Sequence, residues 1–172
     1  MRVIEGRVHV GADPPEGVPT YESVDEFVAA LAEAGADDTA VQAFDARYVA
    51  GRRHLETAVE HANRSMARGE NVADDRAVEI LCYAAGRRQI SQALTMGVDE
   101  GTTPVLVVVD GPDEEAVAER VESVVAPAEA FGLSDPDRIA TFFAVTERER
   151  KATDASLQSL VCERVALLDV EK

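Results

Sequence analysis

The sequence predicts an α/β (α+β) fold, organised as a single domain over residues 1–172, in which a small mixed β-sheet of about four to five strands is covered by several helices. The length and a hydrophobic content of 46% fit one domain with a real core. The apolar run Val105–Val109, with Pro104 before it and Asp110-Gly111-Pro112 after it, is typical of a strand buried on both faces. Segments with helical spacing alternate with such strand segments along the chain, and no repeat or linker divides it.

The first third of the chain predicts two strands and one helix. Apolar residues alternate loosely over Val3–Val10 and then meet a Gly- and Pro-rich breaker cluster, which indicates a strand followed by a loop. Ser23 followed by Glu26 forms a capping box, and helical spacing continues from there to Gly35. The segment Thr39–Phe44 is the second predicted strand.

Three helices in succession are predicted next. An amphipathic pattern begins at Arg53 and stops near Gly69. Asp74 is expected to cap a second helix, which Gly86 interrupts, and a short helix is expected to begin at Arg87.

Beyond the central strand, the pattern predicts three helices and a closing strand. The helices are Asp113–Val125, a segment that starts at Asp135-Pro136 with proline at the first helical position, and Ser156–Cys162. The apolar run Val165–Val170 is the expected closing strand.

The chain is strongly acidic, with 33 Asp and Glu against 17 Lys and Arg and a formal charge of −16. Lysine occurs only at Lys151 and Lys172, against fifteen arginines, and such a surface suits a cytosol at very high salt. A halophilic source is therefore expected. The sequence contains no signal-peptide pattern and no apolar run of membrane-spanning length, so we expect a cytoplasmic protein without a membrane partner.

The charge is unevenly distributed along the chain. Residues 1–46 carry −8, residues 89–172 carry −10, and residues 47–88 carry +2 because they hold Arg47, Arg52, Arg53, Arg64, Arg68, Arg76, Arg87 and Arg88. This arginine-rich region fits a phosphate- or carboxylate-bearing partner. Alternatively, its arginines pair with the nearby acidic residues Glu56, Glu60, Asp74, Asp75 and Glu79.

The segment Ala84–Ile90 combines small residues with cations at a break between two helices. Gly86 would allow close approach of another backbone, and peptide N–H groups at the next helix start could bind an anion. Arg87 and Arg88 add positive charge, and Gln89 adds an amide that can bind a phosphate or a base edge. The alternative interpretation is a simple helix kink.

Motifs of catalysis and cofactor binding are missing from the sequence: it has no GxxxxGK[ST], no GxGxxG and no GxSxG. His54 and His61 lack a third ligand, and Cys82 and Cys162 are expected to be buried small hydrophobic residues rather than zinc ligands. We therefore expect no metal, no cofactor and no enzyme. A small-molecule hydrolase or transferase with a pocket near Gly86 is the enzymatic alternative.

The run from Glu79 to Leu94, followed by Gly97, resembles the signature of the small regulatory subunit of the KEOPS complex, the family of the PRPK-binding protein TPRKB. This signature is an apolar helix, a small-residue break ending in glycine, an Arg-Gln-Ile-like stretch, and then alanine, an aliphatic residue and glycine. The start of the preceding helix at Arg53-His54-Leu55 is also similar, as are the strand Val105–Val109 and the closing Ala166–Val170. The charge pattern suggests a haloarchaeal-type member.

The resemblance implies a non-catalytic subunit of the complex that makes threonylcarbamoyladenosine in tRNA. Such a subunit binds and activates the Rio-like kinase/ATPase subunit and holds the single-stranded 3′ CCA end of tRNA. Carried over by position, the implied tRNA-binding residues are Arg53, His54, Ala85, Gly86, Arg87, Arg88 and Gln89. Ala85 stands where the family often has serine. A kinase regulator that binds only protein, without RNA contact, is the alternative.

Overall fold

The computed structural model describes residues 1–170. Contacts between residues divide this chain into two units, which we name the sheet unit and the helical unit. The sheet unit comprises Met1–Ala46 and Gly97–Leu133, and the helical unit comprises Arg47–Met96 and the chain from Ser134 onward. The organisation of both as one domain stays a prediction.

The sheet unit contains a mixed sheet of five strands, which confirms the predicted fold class. The strands are β1 (Arg2–Val10), β2 (Thr20–Tyr21), β3 (Ala40–Asp45), β4 (Gly101–Asp110) and β5 (Ala126–Pro127). Their order is β2-β1-β4-β3, with β5 also paired to β1. Only the β1–β2 pair is parallel, and the remaining pairs are antiparallel.

Eight α-helices are described in residues 1–170. They are α1 (Val24–Ala34), α2 (Arg52–Arg68), α3 (Arg76–Ala85), α4 (Ile90–Ala93), α5 (Glu114–Val121), α6 (Pro136–Phe142), α7 (Glu147–Ala152) and α8 (Leu157–Leu167). Of these, α1 and α5 belong to the sheet unit and the other six to the helical unit.

Strand β4 is the central strand that the sequence predicted. All five residues of Val105–Val109 have no exposed surface, and β4 is paired along its length with β1 on one side and β3 on the other. Helices α1 and α5 cover one face of the sheet through an apolar cluster that includes Phe27, Leu31, Val117 and Val121. Ser23 caps α1 as expected, because its hydroxyl accepts a hydrogen bond from the Glu26 N–H.

Three of the predicted boundaries are corrected by the structure. Asp75 caps α3 in place of Asp74, because its carboxylate accepts the Val78 N–H at 3.0 Å. The short helix begins at Ile90, so Arg87 precedes it. The predicted helix Asp113–Val125 is shorter, and α5 ends at Val121.

The expected closing strand Val165–Val170 is wrong, since this segment is the last part of α8 and the turn after it. A short continuous apolar run does not distinguish a strand from a buried helix segment. The Ser156 cap and the buried residues Leu160, Val161 and Val165 continue one helix through the segment.

Candidate functional site

The first turn of α2 lies beside the last turn of α3, and His54 joins them. The His54 Nδ1 accepts a hydrogen bond from the Ala50 N–H at 3.2 Å, so Nε2 carries the proton and donates to the Ala84 carbonyl at 2.8 Å. Its ring meets Phe143 edge-on at 5.4 Å. Complete burial lowers the pKa of His54 to about 4, although its bond to Ala84 opposes this shift.

His54 and Ala85 are two of the seven residues that the family resemblance implies for tRNA binding. Both side chains are fully buried, so neither presents an exposed group to a ligand. His54 holds two helix ends together, and the Ala85 methyl group fills space inside the helical unit.

Gly86 ends α3 in a Schellman motif. Its φ is +58°, its N–H bonds to the Tyr83 carbonyl, and the Arg87 N–H bonds to the Cys82 carbonyl. These two N–H groups close α3 and are not available to an anion, and the next helix start, where the sequence suggested anion-binding N–H groups, lies further along at Ile90. A Cβ at Gly86 would lie 3.4 Å from the Arg164 carbonyl oxygen, which shows that the backbone approaching the break belongs to α8.

Arg87 points its guanidinium into the protein. Nη2 donates to the Phe142 carbonyl at 2.6 Å, Nη1 donates to the Gly86 carbonyl at 3.2 Å, and the group lies 5.0 Å from the centre of the Phe142 ring. These contacts fasten the end of α3 to the end of α6. Arg87 is therefore primarily a structural residue, whereas its neighbour Arg88 is exposed.

An exposed surface remains at this end of the α2–α3 pair, and we name it the Arg88 surface. It consists of Arg53, Arg88, Gln89, Ile90 and Leu94, all of which are exposed. Arg53 belongs to it because the His54–Ala84 bond holds the start of α2 beside the end of α3. The Gln89 side-chain carbonyl accepts from the Gln92 amide at 2.7 Å, which orients it.

The positive charges of this surface are not neutralised by the carboxylates nearby in sequence. Within residues 1–170, Arg53 and Arg88 form no ion pair. Glu79 is buried and accepts the Val72 and Ala73 N–H groups, while Asp75 caps α3. The pairing alternative therefore does not hold for these two arginines.

The two units differ completely in charge. The sheet unit carries 19 acidic and three basic residues, which accounts for the whole formal charge of −16. The described part of the helical unit carries 13 of each sign. The net negative charge, which would repel the phosphates of a nucleic acid, thus resides in the sheet unit.

Sequence reasoning missed Phe142, which receives Arg87 and contacts Tyr48 at 5.3 Å between ring centres. The signal was the pair Phe142-Phe143 in a chain with only 5% aromatic residues. The structure buries Phe143 and leaves Phe142 half-exposed.

It also missed Asp169. This carboxylate accepts from the Tyr83 hydroxyl at 2.5 Å and lies 2.7 Å from the His61 Nδ1. Burial and the bond to Asp169 raise the pKa of Tyr83 to about 12. The three side chains tie the end of the described chain to α2 and α3.

The described residues contain no group of three or more His, Cys, Asp or Glu side chains that could hold a metal ion. Cys82 is buried as predicted, and burial raises the pKa of its thiol to about 11. Cys162 is half-buried and accepts a weak hydrogen bond from Thr57. Within residues 1–170, no helix is both long and apolar enough to cross a lipid bilayer.

The helical unit thus presents exposed arginines at one end of a helix pair, in a chain with a mixed α/β fold. In a comparison with known families, the family described as kinase binding protein CGI-121 matches residues 22–169. The chain belongs to this family, which confirms the resemblance drawn from the run Glu79–Leu94. No curated protein matches the chain.

Proposed function

We propose that this protein is the small accessory subunit of the KEOPS complex, which makes threonylcarbamoyladenosine in tRNA. In this role it binds and activates the Rio-like kinase/ATPase subunit and binds tRNA at the single-stranded 3′ CCA end. The observation that carries the RNA part of the proposal is the unpaired charge of Arg53 and Arg88 at one end of the α2–α3 pair in a kinase-binding family.

The chemistry of the Arg88 surface supports a single-stranded RNA ligand. Arg53 and Arg88 supply cations for phosphate, the Gln89 amide can bind a base edge, and the apolar side chains of Ile90 and Leu94 can contact base faces. A single-stranded end exposes its phosphates, base edges and base faces together, whereas a duplex hides its base faces. The neutral helical unit offers this surface without the net repulsion of the sheet unit.

A binding assay in molar KCl tests the RNA part. We expect tRNA with its 3′ CCA end to bind, and tRNA without it to bind at least tenfold more weakly. The double variant Arg53→Glu/Arg88→Glu should lose most of the affinity. The control matched in charge compares Arg68→Glu with the single variant Arg88→Glu, since each changes the charge by −2. Arg68 is exposed in the last turn of α2, at the opposite end of that helix, and forms no ion pair within residues 1–170.

The outcomes of this assay separate specific binding from general electrostatics. If Arg68→Glu and Arg88→Glu lose the same affinity for tRNA, only the total charge of the protein matters. Equal binding of tRNA with and without CCA would contradict the assignment of the CCA end. No binding by the wild-type protein would remove RNA from the function.

The second candidate is a kinase regulator that binds only protein. The exposed apolar pair Ile90 and Leu94, spaced four residues apart beside Arg88, favours it because such a pair also suits a protein interface. Co-purification with the kinase subunit tests this alternative. If Arg53→Glu/Arg88→Glu and Ile90→Ser/Leu94→Ser abolish kinase binding while wild-type protein binds no tRNA, the Arg88 surface belongs to the kinase.

We further propose that the protein works in a cytoplasm of high salt, as in a halophilic archaeon. The support is the composition of the sheet unit, which contains 19 acidic residues and only three basic ones. High salt screens repulsion of this size, because the screening length falls from about 10 Å at 0.1 M to about 3 Å at 1 M.

A further inference from the structure

The helical unit contains an open groove of about 470 Å³ that no function described so far uses. It runs between the segment before α2 and the first two turns of α6. Its lining residues are Tyr48, Asp135, Asp137, Arg138, Thr141 and Phe142.

Two aromatic rings of this groove are in contact with each other, and a guanidinium group lies over each of them. Tyr48 and Phe142 meet edge-to-face at 5.3 Å, the Arg138 guanidinium lies 5.2 Å from the Tyr48 ring centre, and Arg87 lies 5.0 Å from the Phe142 ring centre. Ring faces and guanidinium planes are the surfaces on which proteins stack unpaired bases. The groove thus offers two aromatic rings and the Arg138 guanidinium, whose contacts with one another fix their orientation.

The contact between Arg87 and Phe142 links the groove to the Arg88 surface. Arg87 donates to the carbonyl of Phe142 in the groove, and the next residue along the chain is the exposed Arg88. Arg87 acts as a positioning residue for the groove wall.

The acidic residues of the groove are not equivalent. The Asp135 carboxylate accepts the Asp137 and Arg138 N–H groups and lies 3.6 Å from the Arg138 Nε, so it is engaged in capping α6. The exposed Asp137 carboxylate has no side-chain partner among residues 1–170. Asp137 is therefore available as an acceptor beside the Thr141 hydroxyl.

These features select the chemistry of the occupant. Two carboxylates disfavour a phosphate group in the groove, and the two aromatic rings favour a flat ligand. A carboxylate accepts hydrogen bonds from an exocyclic amino group, as it does from N4 of cytosine, and it is repelled by the O4 carbonyl that uracil has at the same position.

We propose that this groove receives one unstacked, amine-bearing base of the RNA whose phosphates contact the Arg88 surface, with Asp137 accepting from the amino group. This inference rests on the proposed function and adds a base-reading subsite to it. Tyr48, Phe142 and Arg138 supply stacking, and Asp137 supplies the preference for cytosine over uracil.

The test compares tRNA ending in CCA with tRNA ending in UUA, using the full-length protein in molar KCl. Wild-type protein should prefer CCA by about tenfold. Asp137→Asn should reduce this preference to less than threefold, because an amide can pair with either base. The control Asp154→Asn, an exposed carboxylate outside the groove, should keep the preference. Tyr48→Ala should weaken the binding of both RNAs, and circular dichroism verifies that this variant is folded.

The failure of this inference differs from the failure of the proposed function. Binding that depends on Arg53 and Arg88 but is equal for CCA and UUA, or unchanged by Asp137→Asn, overturns the groove proposal alone. Absence of all tRNA binding overturns both. If Asp137→Asn loses binding to the kinase subunit while RNA binding is unchanged, the groove proposal is overturned, and Asp137 instead binds a cationic side chain of a protein partner.

Discussion

The Nε2 of His54 donates to the carbonyl oxygen of Ala84 across 2.8 Å, inside a site from which water is excluded. This bond joins the first turn of α2 to the last turn of α3. The Ala84 carbonyl belongs to the last turn of α3, where carbonyls lack intrahelical partners. The two helix ends that carry the Arg88 surface are therefore held together by a buried neutral histidine, not by contacts among the exposed side chains of that surface.

His54 makes the unfolding free energy depend on pH. Its folded pKa of about 4 lies below its ordinary value of 6.5, so between these values the unfolded chain binds the proton and the folded chain does not. The stability from this residue is complete above pH 6.5 and is lost as the pH falls towards 4. The expected loss is about 3 kcal/mol.

Chemical denaturation between pH 4 and 7 measures this dependence. His54→Gln keeps an amide donor for Ala84 but does not titrate, so the difference between wild type and variant should change across this window. Parallel pH profiles of the two proteins would contradict the assignment.

Gly86 and Gly69 form a matched pair of helix ends. Both adopt left-handed backbone, with φ of +58° and +66°, and both close a helix with the same pattern of hydrogen bonds. Gly→Ala should cost about 1 kcal/mol at each position because of the backbone conformation. The Cβ at Gly86 would only touch Arg164, at 3.4 Å, so the two alanine variants should be similar.

Asparagine separates the two positions, because it tolerates the left-handed conformation but is larger than alanine. Nothing lies within 4 Å of a Cβ at Gly69, so Gly69→Asn should recover stability relative to Gly69→Ala. Gly86→Asn should not recover it, since its side chain meets α8. Thermal unfolding of the four variants measures the difference, and recovery at both positions would disprove the close approach of α8.

Glu79 anchors the loop between α2 and α3 from a fully buried position. Its Oε2 accepts the Val72 N–H at 3.0 Å and the Ala73 N–H at 2.9 Å. Glu79→Ala leaves both donors unpaired and should cost about 2–5 kcal/mol, whereas Glu79→Gln keeps an acceptor and should cost less. Urea denaturation gives both values. Glu56→Ala, an exposed control on α2, should change stability by less than about 0.5 kcal/mol.

Salt should stabilise the protein through the sheet unit. Unfolding midpoints in urea should rise between 0.1 M and 2 M KCl, because screening reduces repulsion among its acidic residues. Glu119→Gln/Glu122→Gln, at two exposed positions near the end of α5, should add about 0.5 kcal/mol at 0.1 M KCl and almost nothing at 2 M.

The control for this prediction lies in the neutral helical unit. Glu56 and Glu60 are exposed on α2, between Arg53 and Arg64 at helical spacing, so Glu56→Gln/Glu60→Gln should not stabilise the protein at low salt. Equal gains from the two double variants would show that total charge, not its location, controls the response to salt.

Local chemistry made several elements predictable from sequence. The mostly β-branched run Val105–Val109, bounded by Pro104 and Asp110-Gly111-Pro112, favoured a buried central strand. Ser23 and Gly86 mark helix ends through chemistry that involves only residues near them in sequence. The closing segment Val165–Val170 was wrong because its apolar pattern fits both a strand and a buried helix. Only contacts with residues distant in sequence decide whether this segment forms a strand or a helix.

The sequence by itself determined the mixed fold, the family signature at the end of α3, and the concentration of arginine in residues 47–88. The tertiary structure decided what each of these arginines does. It turned Arg87 inward to Phe142, left Arg88 and Arg53 exposed without ion pairs to any part of residues 1–170, and buried His54 between two helix ends. It also collected the net negative charge of −16 in the sheet unit by bringing together segments far apart in sequence. A side chain's neighbours across helices depend on long-range packing, and a linear pattern of residue types does not contain that information.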